Sequence, residues 1–205
     1  MTKDQLLADL DYASSLAKEG ASTPLLGGPI GLMWGILLTL VFFGQWAIIS
    51  DTIALPEKFI GYLWIAFAVI GAIGSTIIGK KIDEKPGANS VANRVEGYVW
   101  VMFAGYMATL FTGAVLNIIF TQGSAVVFNF LVVAGFAGQG VAYGVVAKLT
   151  HIKWIHAASF LSFSAAALCF SLLNDVNVYA VASLGAIITV VLPSLITMRN
   201  EPKYA

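Results

Sequence analysis

The sequence contains very little charge. Only 11 basic and 11 acidic residues occur among 205, whereas 59% of the residues are hydrophobic. These are too few polar side chains to cover the surface of a soluble domain of this size, so a water-soluble fold is excluded. The sequence therefore predicts an integral membrane protein, and it gives no expectation of nucleic-acid binding.

Cysteine and histidine are almost as scarce. The single cysteine, Cys169, lies within an apolar run, which excludes an intrachain disulfide. His151 and His156 lie at the start of one predicted span, where a helix would separate them by about 140° around its axis. They suit neither a shared metal nor a haem, so we predict no metal and no other cofactor. They are either cytoplasmic pH sensors or polar residues at headgroup level.

Catalytic patterns are missing as well. No phosphate-binding glycine loop, H-E-x-x-H, G-x-S-x-G or clustered acid pair occurs, and no Asp, Glu, Lys or Arg lies in the middle of an apolar run. Proton-coupled carriers and ion pumps usually need such an intramembrane charge. We therefore predict that the chain is not an enzyme. An intramembrane enzyme with His156 as its base ranks last among the three functions considered.

The sequence does contain six long apolar runs of 21 to 24 residues. They cover residues 29–50, 58–79, 97–120, 124–147, 153–173 and 177–198. Runs of this length suit helices that cross a hydrocarbon layer of about 30 Å. We predict an all-α integral membrane protein, a compact bundle of six transmembrane helices (29–198). A segment with an amphipathic helix (1–28) precedes this bundle and a short tail (199–205) follows it.

The basic residues predict the orientation of the bundle. Ten of the 11 Lys and Arg residues fall in segments on one side of the membrane, and only Lys58 falls on the other. Because cytoplasmic loops are enriched in Lys and Arg, both termini are predicted to be cytoplasmic. The preferred location is the inner membrane of a bacterium.

The segments on the basic side are the predicted contacts for a partner. Residues 3–19 place Leu6, Leu7 and Leu10 on one face of an amphipathic helix, in which acidic residues outnumber basic ones. Anionic lipid headgroups would repel this helix, so it either covers the bundle or binds a soluble protein. The longest predicted loop covers residues 80–96. A cytoplasmic partner would therefore contact residues 1–19 and 80–96, and a homo-oligomer is left open.

Neutral polar side chains within the spans are the remaining candidates for a site. They are Gln45, Asn117, Asn129, Gln139, Tyr143 and Ser162, together with Thr39, Thr109 and Thr112. Because an unpaired amide in hydrocarbon costs several kcal/mol, we expect these groups to face other helices or a wet cavity. Gln139 and Tyr143, four residues apart, share one helix face. They either join helices or line a pocket for a neutral solute or a lipid headgroup.

Glycine and proline mark two further features of the spans. Gly27, Gly28, Gly31 and Gly35 surround Pro29, which predicts a first span that is closely approached or loosely wound at its start. Pro193 lies within the last span, and its ring crowds the carbonyl of Thr189, so a kink is predicted there.

These observations favour a non-catalytic inner-membrane protein that anchors or regulates a partner through its cytoplasmic face. The second hypothesis is an uncoupled transporter or lipid-binding protein with a neutral polar site near Gln139. The lipid bilayer itself is the one partner common to both hypotheses.

Overall fold

Six long helices make up the membrane domain. The computed structural model describes residues 5–7, 9–12, 14, 24–124 and 126–201, and these ranges contain no strand. The helices are α1 (Gly28–Ile49), α2 (Lys58–Asp83), α3 (Val91–Thr121), α4 (Val127–Thr150), α5 (Lys153–Ser171) and a sixth span, Asn177–Arg199. Each is long and apolar enough to cross a membrane, which confirms the predicted all-α bundle.

The sixth span is not a continuous α-helix. It consists of α6 (Asn177–Ala186), a π-helical turn (Ile187–Val191) and α7 (Leu192–Arg199). The N–H of Leu192 donates to the carbonyl of Ile187, five residues earlier, which is the hydrogen-bond spacing of a π-helix. The sequence predicted a kink at Pro193, and the structure has a π-helical turn just before this residue.

The six spans divide into an inner group and two flanking helices. α1 packs against the sixth span, α5 packs against both the sixth span and α4, while α2 lies on α1 and α3 lies on α4. Only 6% of the most apolar window of α2 or α3 is buried within the protein, compared with 33–39% for the other spans. The protein core is therefore formed by α1, α4, α5 and the sixth span, and most residues of α2 and α3 are not buried by the rest of the protein.

Contacts at one end of the bundle join four of its chain segments. The N–H of Leu26, just before α1, donates to Asn93 Oδ1 at the start of α3 (2.8 Å), and Lys85 forms an ion pair with Glu201 after α7. Leu25 and Ile155 belong to one buried cluster there. We call this the basic end, because the following residues lie in its segments: Lys80, Lys81, Lys85, Arg94, Lys148, Lys153 and Arg199. Residues 24 and 201 thus lie at the same end of the bundle.

Glycines allow α1 to approach the sixth span closely. Gly28, Gly31 and Gly35 lie on one face of α1, at the spacing of helix neighbours. A Cβ atom added at Gly35 would lie 3.0 Å from the backbone nitrogen of Val191, and one added at Gly28 would lie 2.7 Å from Met198 Cγ. The glycine-rich start of α1 is therefore helical and closely approached.

The predicted long loop at residues 80–96 is wrong in its extent. α2 continues to Asp83 and α3 already begins at Val91, so the connection covers only residues 84–90. Ser90 caps α3, since its side chain accepts from the N–H of Asn93 (3.3 Å). Both helices extend past the apolar runs into charged residues at the two ends of this connection. A helix keeps its backbone hydrogen bonds when it leaves the hydrocarbon, so it need not end where the apolar run ends.

The described part of the amino-terminal segment is helical but does not bury its apolar side chains. Residues 5–7, 9–12 and 14 are helical, whereas the rest of the predicted helix 3–19 and the tail 202–205 lie outside the described residues. Leu6, Leu7 and Leu10 are 47%, 53% and 61% exposed. These three leucines therefore give no support to the interpretation of the segment as a lid on the bundle.

The close approach of α1 to the sixth span predicts a difference between two glycines. Gly35→Ala should lower the free energy of unfolding by about 1–3 kcal/mol, because its methyl group overlaps the backbone of Val191. Gly105→Ala on α3 should have little effect, since a Cβ atom there meets no atom within 4 Å. Denaturant titrations in mixed micelles measure both variants. Equal losses of stability would contradict the close packing.

Candidate functional site

Gln139, the most deeply placed candidate, joins three helical segments. Its side-chain nitrogen Nε2 lies 2.9 Å from the carbonyl oxygen of Thr189, 3.0 Å from Thr189 Oγ1 and 3.2 Å from Ser162 Oγ. Gln139 is 5% exposed, and its partners Ser162 and Thr189 are also buried. The amide therefore links α4 to α5 and to the π-helical turn within a packed seam.

Pro193 explains why the carbonyl of Thr189 is available to accept the hydrogen bond from Gln139. In an α-helix this carbonyl would accept from the N–H of residue 193, but proline has no N–H to donate. The π-helical turn places Thr189 toward α4, where the amide of Gln139 donates to its carbonyl and its hydroxyl. A backbone group that proline leaves without its usual donor in hydrocarbon is thus satisfied by a side chain from another helix.

Small side chains bring α4 and α5 into the contact that Gln139 needs. Ser159 Oγ donates to the carbonyl of Gly140 (2.7 Å), and a Cβ atom added at Gly140 would lie 2.8 Å from the ring of Phe163. Ser162 Oγ also donates, to the carbonyl of Ala158 on its own helix (2.8 Å). The hydroxyl groups in this seam are therefore engaged by backbone carbonyls or by Gln139.

Tyr143 does not share the surroundings of Gln139, although both lie on one side of α4. Its ring stands edge-on to the ring of Trp100 from α3, with 5.1 Å between the ring centroids. It also belongs to the buried cluster of the basic end, together with Leu25 and Ile155. Gln139 and Tyr143 thus contact different neighbours: α5 and the π-helical turn for Gln139, α3 and the basic end for Tyr143.

Two polar residues at the start of α3 were not among the sequence candidates. Asn93 holds the chain before α1: its Oδ1 accepts from Leu26 N–H, and its Nδ2 donates to the carbonyl of Pro24 (3.0 Å). Glu96 is half-buried, and its Oε2 accepts from the N–H of Gly27 (3.3 Å). The capping serine Ser90 was the available sequence signal, because it places Asn93 and Glu96 in the first two turns of a helix.

Gln45 and Asn129 form a second polar group at the opposite end. Trp64 Nε1 donates to Gln45 Oε1 (2.7 Å), which joins α2 to α1. Asn129 Nδ2 donates to the carbonyl of Leu173 (2.6 Å), and the hydroxyl of Tyr179 donates to Asn129 Oδ1. These hydrogen bonds join the ends of the following helices: α1 to α2 through Gln45, and α4 to the end of α5 and to the sixth span through Asn129.

Other polar candidates face outward. Asn117 is exposed on α3, and among the described residues its side chain takes part in no hydrogen bond, although it lies close to Gly123. Thr109 and Thr112 are also exposed and contact no other helix of the described chain through a hydrogen bond. Each hydroxyl donates to the carbonyl four residues earlier (2.9 Å and 2.8 Å), which satisfies it within its own helix.

The two histidines lie at the connection between α4 and α5. His151 follows the last residue of α4 with a φ of 57°, a left-handed conformation that ends the helix. It is therefore not on the same helix as His156, which lies in the first turn of α5; both side chains are exposed. Residues 24–124 and 126–201 bring together no group of three His, Cys, Asp or Glu side chains able to hold a metal ion.

Comparison of the chain with known protein families, with curated proteins and with solved structures finds no match. The function must therefore be argued from the arrangement of its own residues.

Two asparagines near the opposite end provide a matched test of this arrangement. Asn129→Leu should lower the free energy of unfolding by about 1–3 kcal/mol, because it removes the donor to the carbonyl of Leu173 and the acceptor for Tyr179. Asn117→Leu should change it by less than about 0.5 kcal/mol, because that side chain is exposed. Denaturant titrations compare the two. A larger loss for Asn117→Leu would contradict the assignment.

Proposed function

We propose that this membrane-spanning protein is a non-catalytic anchor or regulator that binds a partner protein at its basic end. The main contact is the amino-terminal helical segment. The observation that carries this proposal is the exposure of Leu6, Leu7 and Leu10, which are between 47% and 61% exposed outside the membrane domain.

The spacing and charge of this segment favour a protein as its partner. Leu6, Leu7 and Leu10 lie at i, i+1 and i+4, which places them on one face of a helix. Burial of each side chain on a partner would contribute about 1.5–3 kcal/mol. Asp9 and Asp11 lie on the same segment and would be repelled by anionic lipid headgroups, so a protein surface suits the segment better than bare lipid.

The interior of the bundle supports an anchoring role over transport at Gln139. The amide of this residue already donates to Ser162 and Thr189, and the seam around it is closed by close helix contacts. A solute or lipid headgroup would have to displace these acceptors and separate α4 from the sixth span. The transporter hypothesis therefore ranks second.

The distribution of basic residues supports a cytoplasmic contact. Ten of the 11 Lys and Arg residues belong to the basic end and its terminal segments, as expected for the cytoplasmic side of a membrane protein. We therefore place the basic end, both termini and the contact for the partner in the cytoplasm. The inner membrane of a bacterium is the proposed location.

Substitution of the three leucines tests the contact. In the full-length chain in its native membrane, Leu6→Asp/Leu7→Asp/Leu10→Asp should reduce recovery of cross-linked partner proteins at least about tenfold, because it removes the apolar contact area. Asp9→Asn/Asp11→Asn, on the same segment, serves as the control and should retain them. Quantitative mass spectrometry at equal expression measures both. An unchanged set of partners in the leucine variant would contradict the proposal.

A labelling experiment separates a protein partner from lipid. Cys169 is buried, so a cysteine introduced by Leu7→Cys provides the reactive thiol. A water-soluble maleimide should label it quickly in vesicles that contain only the purified protein, and more slowly in native membranes, where the partner covers it. Slow labelling in the pure vesicles would show that lipid or the bundle itself covers the segment.

A further inference from the structure

An open apolar groove runs along the surface of α1 beside α7. It has a volume of about 360 Å³ and is lined by Pro29, Leu32, Met33, Ile36, Leu37 and Met198. The lining residues of α1 extend over about 12 Å from its start toward the middle of the span. This is close to the depth of one leaflet, about half of the 30 Å hydrocarbon layer. The groove therefore matches an acyl chain that enters from the basic end.

Arg199 lies at the mouth of this groove. It directly follows Met198, whose side chain contacts Gly28 at the first turn of α1, so its backbone lies at the level at which the groove opens. Arg199 is exposed, and among the described residues it takes part in no ion pair.

Helix geometry brings Lys81 to the same level. Met33 in the groove contacts Gly74 of α2, and Lys81 follows Gly74 by seven residues, which is two turns along the same face. Because α1 and α2 are antiparallel, moving two turns toward the end of α2 corresponds to moving from Met33 toward the start of α1. Lys81 therefore lies at the level of the start of α1. Asp83 lies about 200° further around the helix axis and so faces away. Lys85 is neutralised by Glu201, whereas Arg199 and Lys81 take part in no ion pair among the described residues.

We propose that this groove binds one acyl chain of an anionic phospholipid, whose phosphate lies between Arg199 and Lys81. An apolar channel with two unpaired cations at one end matches the two parts of such a lipid, a hydrocarbon chain and a negative headgroup. A zwitterionic lipid would bring its own positive group to this mouth beside its phosphate, and a helix of another protein would bring no phosphate, so an anionic lipid suits the two cations best. The proposal does not depend on the partner contact of the amino-terminal segment.

Native mass spectrometry of the purified full-length protein tests this site. Detergent micelles are titrated with phosphatidylglycerol or phosphatidylcholine, and we expect one tightly held phosphatidylglycerol with at least about tenfold preference over phosphatidylcholine. Lys81→Gln/Arg199→Gln should weaken its binding by about 25-fold, or about fivefold for each basic residue removed. Lys148→Gln/Lys153→Gln, two exposed lysines elsewhere at the basic end, should leave binding unchanged.

A second variant tests the groove separately from the headgroup site. Ile36 is 47% exposed in the groove, so Ile36→Trp fills the groove without entering the core, and it should weaken phosphatidylglycerol binding at least about tenfold. Three results would each overturn the proposal. The first is equal binding of the two lipids, and the second is an equal loss of binding in the Lys148/Lys153 control. The third is full competition by inorganic phosphate with no effect of Ile36→Trp. A dimer that Ile36→Trp dissociates would also overturn it, since a second copy would then occupy the groove.

Discussion

The hydrogen bond from the amide of Gln139 to the carbonyl of Thr189 is the interaction on which the arrangement of the inner helices depends. Pro193 leaves this carbonyl without its usual donor, and no water is present in hydrocarbon to replace it. The donor comes from α4, so the sixth span must lie against α4 and α5 in one register. The π-helical turn, the buried serines of α5 and the glycines of α4 are all consistent with that requirement.

The need to satisfy polar groups without water also explains the hydrogen bonds of the other polar side chains. Buried amides bond across helices, as Asn129 does to the carbonyl of Leu173, whereas the hydroxyls of Thr109 and Thr112 bond within their own helix and face outward. Across residues 24–124 and 126–201, no buried side-chain nitrogen or oxygen is left without a partner. A bundle whose buried polar groups are engaged in this way has few polar groups free to bind a solute. Contacts with a partner or a ligand are therefore expected at its terminal segments and its surface.

The length of the apolar runs was sufficient to predict six spans, because crossing hydrocarbon demands both the length and the apolar character of a helix. The ends of the spans were less predictable: α3 begins at Val91, since Ser90 caps it and its charged first turns lie beyond the apolar run. Gln139 was recognisable as a candidate from its position in an uncharged span. Its partners were not, because they depend on a carbonyl exposed by Pro193 and on which helices become neighbours. Asn93 and Glu96 were missed because charged and polar residues near a turn resemble a solvated loop.

A double-mutant cycle between Gln139→Leu and Pro193→Ala tests the central interaction most directly. In the parent chain, Gln139→Leu should lower the free energy of unfolding in mixed micelles by about 1–3 kcal/mol, because it removes the donor from α4 to the carbonyl of Thr189. In the Pro193→Ala background, residue 193 regains an N–H, so the same substitution should cost at least about 1 kcal/mol less. An equal loss of stability in both backgrounds would contradict the account.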